Sequence, residues 1–112
     1  MAWDFSTDPE WQEQLDWAED LCTAGGVLHG GALMAAADSL GALCAYLNLP
    51  EGASTATLES KTNFLRAVRG GAVTLAATPL HVGRSSIVVQ TELRDRDGDR
   101  VALVIQTQAV LT

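Results

Sequence analysis

Two stretches near the C-terminus carry the clearest rhythm in the chain. Over 85–94 the apolar residues Ile87, Val89 and Leu93 are spaced by multiples of two, and over 100–111 Val101, Leu103 and Ile105 are as well. A period of two marks a strand with one face buried. Asp97-Gly98 between them is a strong hairpin signal, because the tight turn joining two such strands needs residues that tolerate positive φ. Upstream, 56–67 and 73–82 read as two further strands, set off by Arg69-Gly70-Gly71 and by Gly83.

The stretch 31–48 keeps a different rhythm. Leu33, Met34, Leu40, Leu43 and Leu47 lie among many alanines, so a helix here is apolar almost all round and needs cover from other elements. Leu49-Pro50-Glu51-Gly52 ends it, since proline cannot continue the helix and glycine admits the turn. Ahead of it, 23–31 (TAGGVLHGG) holds four glycines in nine residues, the mark of tight turns or of close ligand approach. Further upstream, Thr7-Asp8-Pro9-Glu10 has the form of a capping box. Trp11, Leu15, Ala18 and Cys22 follow at helical spacing, which predicts a short amphipathic helix over 8–21. The expected organisation is an N-terminal helical segment, 1–22, ahead of one α+β domain, 23–112. In that domain a curved antiparallel sheet wraps a long central helix.

Composition narrows the class. A chain of 112 residues is enough for one domain, and 47% hydrophobic with 19% charged residues is globular. The net charge of -7 argues against nucleic acid as a partner, because phosphate neutralisation dominates that affinity. The longest apolar run, 31–49, is broken by Asp38, Ser39 and Asn48, so no membrane span is expected. No basic stretch precedes an apolar one at the N-terminus, so no signal peptide is expected. Cys22 and Cys44 are isolated, which fits a reduced, cytoplasmic compartment.

Candidate chemistry gathers round the glycine loop and the helix. Gly30 and Gly31 sit where a helix begins, and unpaired backbone N–H groups there can stabilise a developing oxyanion; the plainer reading is that they only make the turn. Asp38 lies two turns into the apolar helix with Met34, Ala35, Gly41 and Ala42 as its neighbours at helical spacing. Such a carboxylate must reach solvent, find a distant partner or give up its charge. Arg84 and Arg66 could hold phosphate through paired donors, or could simply be solvated. No GxSxG elbow, Walker loop or dinucleotide fingerprint is present. Cys22, His29 and Asp38 match no standard ligand spacing, so neither a metal nor a redox cofactor is expected.

From Leu21 onward the chain resembles the hotdog acyl-CoA thioesterases, in particular the phenylacetate-degradation and 4-hydroxybenzoyl-CoA types. The resemblance lies in Gly26-Val-Leu-His29-Gly30-Gly31, Ala35-Ala-Ala-Asp38-Ser39, Thr62-Asn-Phe64-Leu65-Arg66, Val82-Gly83-Arg84 and the closing hairpin from Glu92 to Thr107. It implies a hotdog fold, a homodimer or homotetramer, and hydrolysis of an acyl-CoA or aryl-acyl-CoA. Asp38 is then the nucleophile or general base, facing a pocket between protomers, and Gly30, with Gly31, the oxyanion hole. His29 is implied to orient the loop. Leu33 and Met34 are placed against the acyl group, and Arg84 and Arg66 beside the phosphates of coenzyme A. A hydroxyl from the partner chain is expected among Ser54, Thr55 and Thr57. Two departures stand out. Thr23 occupies a position where relatives often carry an amide, and the first strand of the family has no evident counterpart. Residues 1–20 instead resemble the opening helix of an acyl-CoA dehydrogenase. These departures favour an alternative: a non-catalytic hotdog protein that binds acyl-CoA or merely assembles.

Overall fold

A computed structural model describes residues 11–112 and, within them, every side chain except that of Trp11. The elements run β1 (Trp11–Asp16), a single 3-10 turn (Glu19–Leu21), α1 (Gly30–Tyr46), β2 (Ser54–Phe64), β3 (Ala72–Val82), β4 (Ser86–Arg94) and β5 (Arg100–Leu111). The five strands form one antiparallel sheet in the order β1-β3-β4-β5-β2, with α1 packed across its concave face. This is the hotdog fold.

The core lies between α1 and the sheet. Leu33, Ala37, Leu40, Gly41, Cys44 and Ala45 form the buried stripe of the helix. They meet Val73, Leu75 and Ala77 of β3, Ile87, Val89 and Leu93 of β4, and Ala102 and Val104 of β5. Among the described residues the helix is covered on that side alone. Gly31, Met34, Ala35, Asp38, Ser39 and Tyr46 make an exposed stripe on the other, so the expected cover from a curved sheet is present and lies on one face of the helix. Its many alanines allow close packing against a sheet on one face, and they leave little apolar bulk on the other.

The N-terminal expectation is overturned. The capping box at 7–10 lies outside the described residues, but 11–16 is a strand and not a helix. It pairs with β3 from Trp11↔Ala77 to Asp16↔Ala72. Thus the first strand of the family is present, and β3 has no open edge along that length. Leu15 faces inward opposite Val73, and Glu13 opposite Leu75, where burial pushes its carboxyl up. Gln14 and Asp16 share the outer side, with Gln14 Nε2 donating to Asp16 Oδ1 at 2.8 Å. The physical reason is that a short isolated helix is marginal in water, whereas the edge of β3 offers a full row of backbone partners.

On β5 the phase of the alternation differs from the sequence reading. Leu93 pairs with Ala102 and Arg94 with Arg100, leaving Val101 as an extra, bulged residue. Val101 is buried, but beyond it the inward set is Ala102, Val104, Gln106 and Gln108. Leu103 and Ile105 lie on the half-covered outer face. A bulge adds one residue and so reverses which side chains face the core.

Candidate active site

The loop between the 3-10 turn and α1 is fixed by backbone bonds on both sides. Thr23 N–H donates to the Val27 carbonyl (2.8 Å), Leu28 N–H to Val68 (2.9 Å) and His29 N–H to Leu21 (2.9 Å). Trp17 Nε1 donates to the Gly26 carbonyl at 3.1 Å. The helix then starts with His29 as its cap, whose carbonyl accepts from Ala32 (3.0 Å) and Leu33 (3.3 Å). The N–H groups of Gly30 and Gly31 have no acceptor among the described residues. Two free donors at the positive end of a helix dipole form a fit place for an oxyanion.

A cavity of about 540 Å³ opens beside the start of the helix, with Gly30 in its lining. Thr23, Val27, Gly30, Leu33, Phe64 and Arg66 are among its lining residues. The Phe64 ring lies against Gly30: a Cβ there would come within 2.9 Å of Phe64 Cζ, so glycine is what lets the ring approach. Arg66 stands at the rim, paired with Asp99 at 2.7 Å and half exposed.

Asp38 belongs to a separate group. It projects from the open side of α1, exposed, toward Thr57 of β2 and Gln106 of β5. Its Oδ1 lies 3.4 Å from Thr57 Oγ1 and 3.4 Å from Gln106 Nε2. Behind it Gln106 Nε2 also donates to Gln108 Oε1 (3.1 Å), and Gln108 Nε2 to Thr55 Oγ1 (3.3 Å). Asp38 stands eight residues beyond Gly30, or about 12 Å along the axis at about 1.5 Å per residue. Within one protomer the free N–H groups and the carboxylate therefore stand well apart.

Neither cysteine has the lowered pKa of an activated thiol. Burial pushes the Cys44 thiol up to about 11. Cys22 is raised by burial and then by Glu19 and Asp20. Thiols held protonated in this way react poorly.

With the geometry in place, comparison with known proteins decides the lineage. The sequence profile of the Thioesterase superfamily matches residues 25–102. The chain belongs to the thioesterase superfamily. Its structure superposes on thioesterase HI1161 of Haemophilus influenzae with a TM-score of 0.92 and 30% identity, covering 98% of this chain and 77% of that one. A Vibrio cholerae protein whose name gives esterase as a provisional activity is 41% identical over 85 residues, 76% of this chain and 57% of that protein. The 1,4-dihydroxy-2-naphthoyl-CoA hydrolase of Escherichia coli is 35% identical over 86 residues, 77% of this chain and 63% of that enzyme. The matched part of the chain thus spans about six-tenths of these two curated relatives.

In this superfamily member the residues singled out from sequence fall in four places. Thr23, Gly30, Leu33 and Arg66 meet at the cavity, with Gly31 beside Gly30. Asp38 and Met34 share the open stripe of α1, and Thr55 lies in the hydrogen-bonded group behind Asp38. His29 caps the helix by its carbonyl, and its exposed side chain makes no cap bond. Arg84 is exposed in the β3–β4 turn, at the opposite end of β3 from Arg66. Sequence reasoning did not assign roles to Phe64, Gln106 or Gln108. The last two were hidden by the bulge at Val101, because in the uninterrupted alternation they fall on the outer face.

Proposed function

We propose that the chain hydrolyses an acyl-CoA or aryl-acyl-CoA thioester at a site completed by a second copy of itself. The observation that carries this is the separation of the free N–H groups from the carboxylate. A thioester carbonyl must lie about 3 Å from its oxyanion donors and be met from close by the attacking group. Gly30 and Asp38 of one chain, about 12 Å apart along one helix, do not meet that requirement. A two-fold partner does. β2 is an edge strand with nine of its eleven residues exposed, and an edge of that length is a ready template for pairing. Antiparallel pairing of two β2 strands about their middle sets the Thr57 end of one beside the Phe64 end of the other. That brings the carboxylate of one protomer toward the free N–H groups of its neighbour.

In this arrangement the thioester oxygen accepts from Gly30 and Gly31. Asp38 either takes a proton from the water that attacks the carbonyl carbon, or attacks it directly to give an anhydride that water then opens. The tetrahedral intermediate collapses with loss of the coenzyme A thiolate, which is then protonated. Leu33, Phe64 and the partner's Met34 offer an apolar seat for the acyl group. Arg66 at the rim suits the phosphates, while Arg84 stands too far along the sheet to share them within one protomer. The naphthoyl-CoA named for the Escherichia coli relative supports an aromatic acyl group. One feature favours the binding-only reading: the Thr23 hydroxyl accepts from Gly25 N–H at 3.3 Å and replaces an amide.

Subunit mixing tests the proposal with benzoyl-CoA and hexanoyl-CoA as probes. Asp38→Asn and Gly30→Val should each be inactive alone. Refolded together in equal amounts, they should recover about a quarter of the wild-type rate, since half the dimers carry one intact composite site. A mixture as dead as its parents rejects the shared site. Undiminished hydrolysis by Asp38→Asn rejects the chemistry. Thermal stabilisation by both esters with no turnover by the wild type supports the binder.

A further inference from the structure

Gln106 and Gln108 project from β5 toward α1, and both are fully buried, at 0% and 1% exposure. Their hydrogen bonds have a direction fixed at one end. Thr55 Oγ1 donates its single hydrogen to the Ala109 carbonyl at 2.7 Å, so toward Gln108 Nε2, 3.3 Å away, it can only accept. That turns Gln108 Oε1 toward Thr57 Oγ1 (2.6 Å) and Gln106 Nε2 (3.1 Å), and both donate to it. The Thr57 hydrogen is thereby taken, at a much shorter distance than the 3.4 Å to Asp38. Gln106 must therefore present its amino end, and the second hydrogen of that group points at Asp38 Oδ1, 3.4 Å away. The disadvantage falls on the other end of the same amide. Gln106 Oε1 is buried with no partner among the described residues, which is destabilising and which an apolar residue would avoid. The helix also yields to this amide: a Cβ at position 41 would stand 1.9 Å from Gln106 Oε1, so only Gly41 leaves it room.

We propose that Gln106 is a positioning residue for Asp38. The relay from the Ala109 carbonyl through Thr55, Gln108 and Gln106 holds Oδ1 against the sheet and leaves Oδ2 to meet the substrate or its attacking water. The proposal rests on the reading of Asp38 as the reacting carboxylate. A carboxylate on an exposed helix face samples several rotamers. One donor aimed at one oxygen selects among them, and misplacement of a reacting group by an ångström is enough to cost orders of magnitude in rate. Asp38 is the one titratable side chain hydrogen-bonded to the relay among the described residues.

The test compares wild type, Asp38→Asn, Gln106→Leu and Gln106→Glu on benzoyl-CoA and hexanoyl-CoA across pH, with melting temperatures alongside. Gln106→Leu should lower kcat about ten- to hundredfold with little change in KM, at every pH. Gln106→Glu keeps the shape of the side chain but donates to Asp38 only while protonated. Its kcat relative to wild type should therefore fall as pH rises, a response that a packing role would not give. Wild-type kcat in Gln106→Leu, beside an inactive Asp38→Asn, overturns the relay alone. Full activity in Asp38→Asn overturns the relay together with the reading beneath it. If Gln106→Leu does not fold, Gln106→Glu decides: a pH-independent ratio to wild type rejects the proposal.

Discussion

Glu92 shows how single charges are handled on the outer face of the sheet. Burial pushes its carboxyl up, but the guanidinium groups of Arg94 and Arg100 bond to its two oxygens and together outweigh that effect. The carboxyl is held below its ordinary value. A group depressed in this way contributes stability above its unfolded pKa, and the contribution is lost as pH falls through the folded one. The melting temperature of wild type should therefore exceed that of Glu92→Gln by a constant margin at neutral pH. The margin should shrink once pH drops below about 4.5, the ordinary carboxylate value. Both arginines are about half exposed, so salt should reduce the margin as well. A margin that is flat from neutral to pH 3 would show that the pairing adds nothing. Gly30 illustrates the same local logic in the site, since a missing side chain both admits the Phe64 ring and leaves the N–H beside it open to a ligand.

Among the elements, β1 is where local pattern and tertiary pairing disagree. Trp11, Leu15, Ala18 and Cys22 fit a helical period, while Leu15 and Trp17 fit a period of two equally well, and so few apolar residues do not choose between them. The choice is made by the edge of β3, far along the chain. Hydrogen exchange reads the outcome directly. In an edge strand only every second N–H points at its partner, so protection over Gln12–Asp16 should alternate, whereas a helix would protect consecutive amides. Consecutive protection would return the segment to the helical reading. The other elements were legible because their signals are local. Asp97-Gly98 made the hairpin, Pro50 ended α1, and Ile87, Val89 and Leu93 do face the core. The glycine loop and Asp38 were legible for a related reason, each being a residue type out of keeping with its neighbours. Gln106 and Gln108 were not, because one bulged residue at Val101 moved them from the outer face to the inner one, and nothing in the local sequence marks that bulge.

The isolated protomer leaves much apolar surface uncovered. Leu58 and Phe64 on β2, Leu65 just beyond it, and Met34 and Tyr46 on the open stripe of α1 are each more than two-fifths exposed. Scattered singly these would be unremarkable, but here they follow the free edge of the sheet and the uncovered face of the helix. Both are surfaces that a two-fold copy sharing the site would cover. A domain of 112 residues buries a modest fraction of its surface alone, so pairing should contribute to folding as well as to chemistry. If the dimer unfolds in one step to two chains, dilution acts on the melting temperature. With an unfolding enthalpy of about 0.7 kcal/mol per residue, a hundredfold dilution should lower it by about 6 °C. Met34→Lys, which places a charge on the open stripe without entering the core, should lower the apparent mass in sedimentation toward that of one chain. A melting temperature independent of concentration, with wild type sedimenting as a single chain throughout, would leave Asp38 on an open helix face with no oxyanion donors in reach, and the shared site would fail with it.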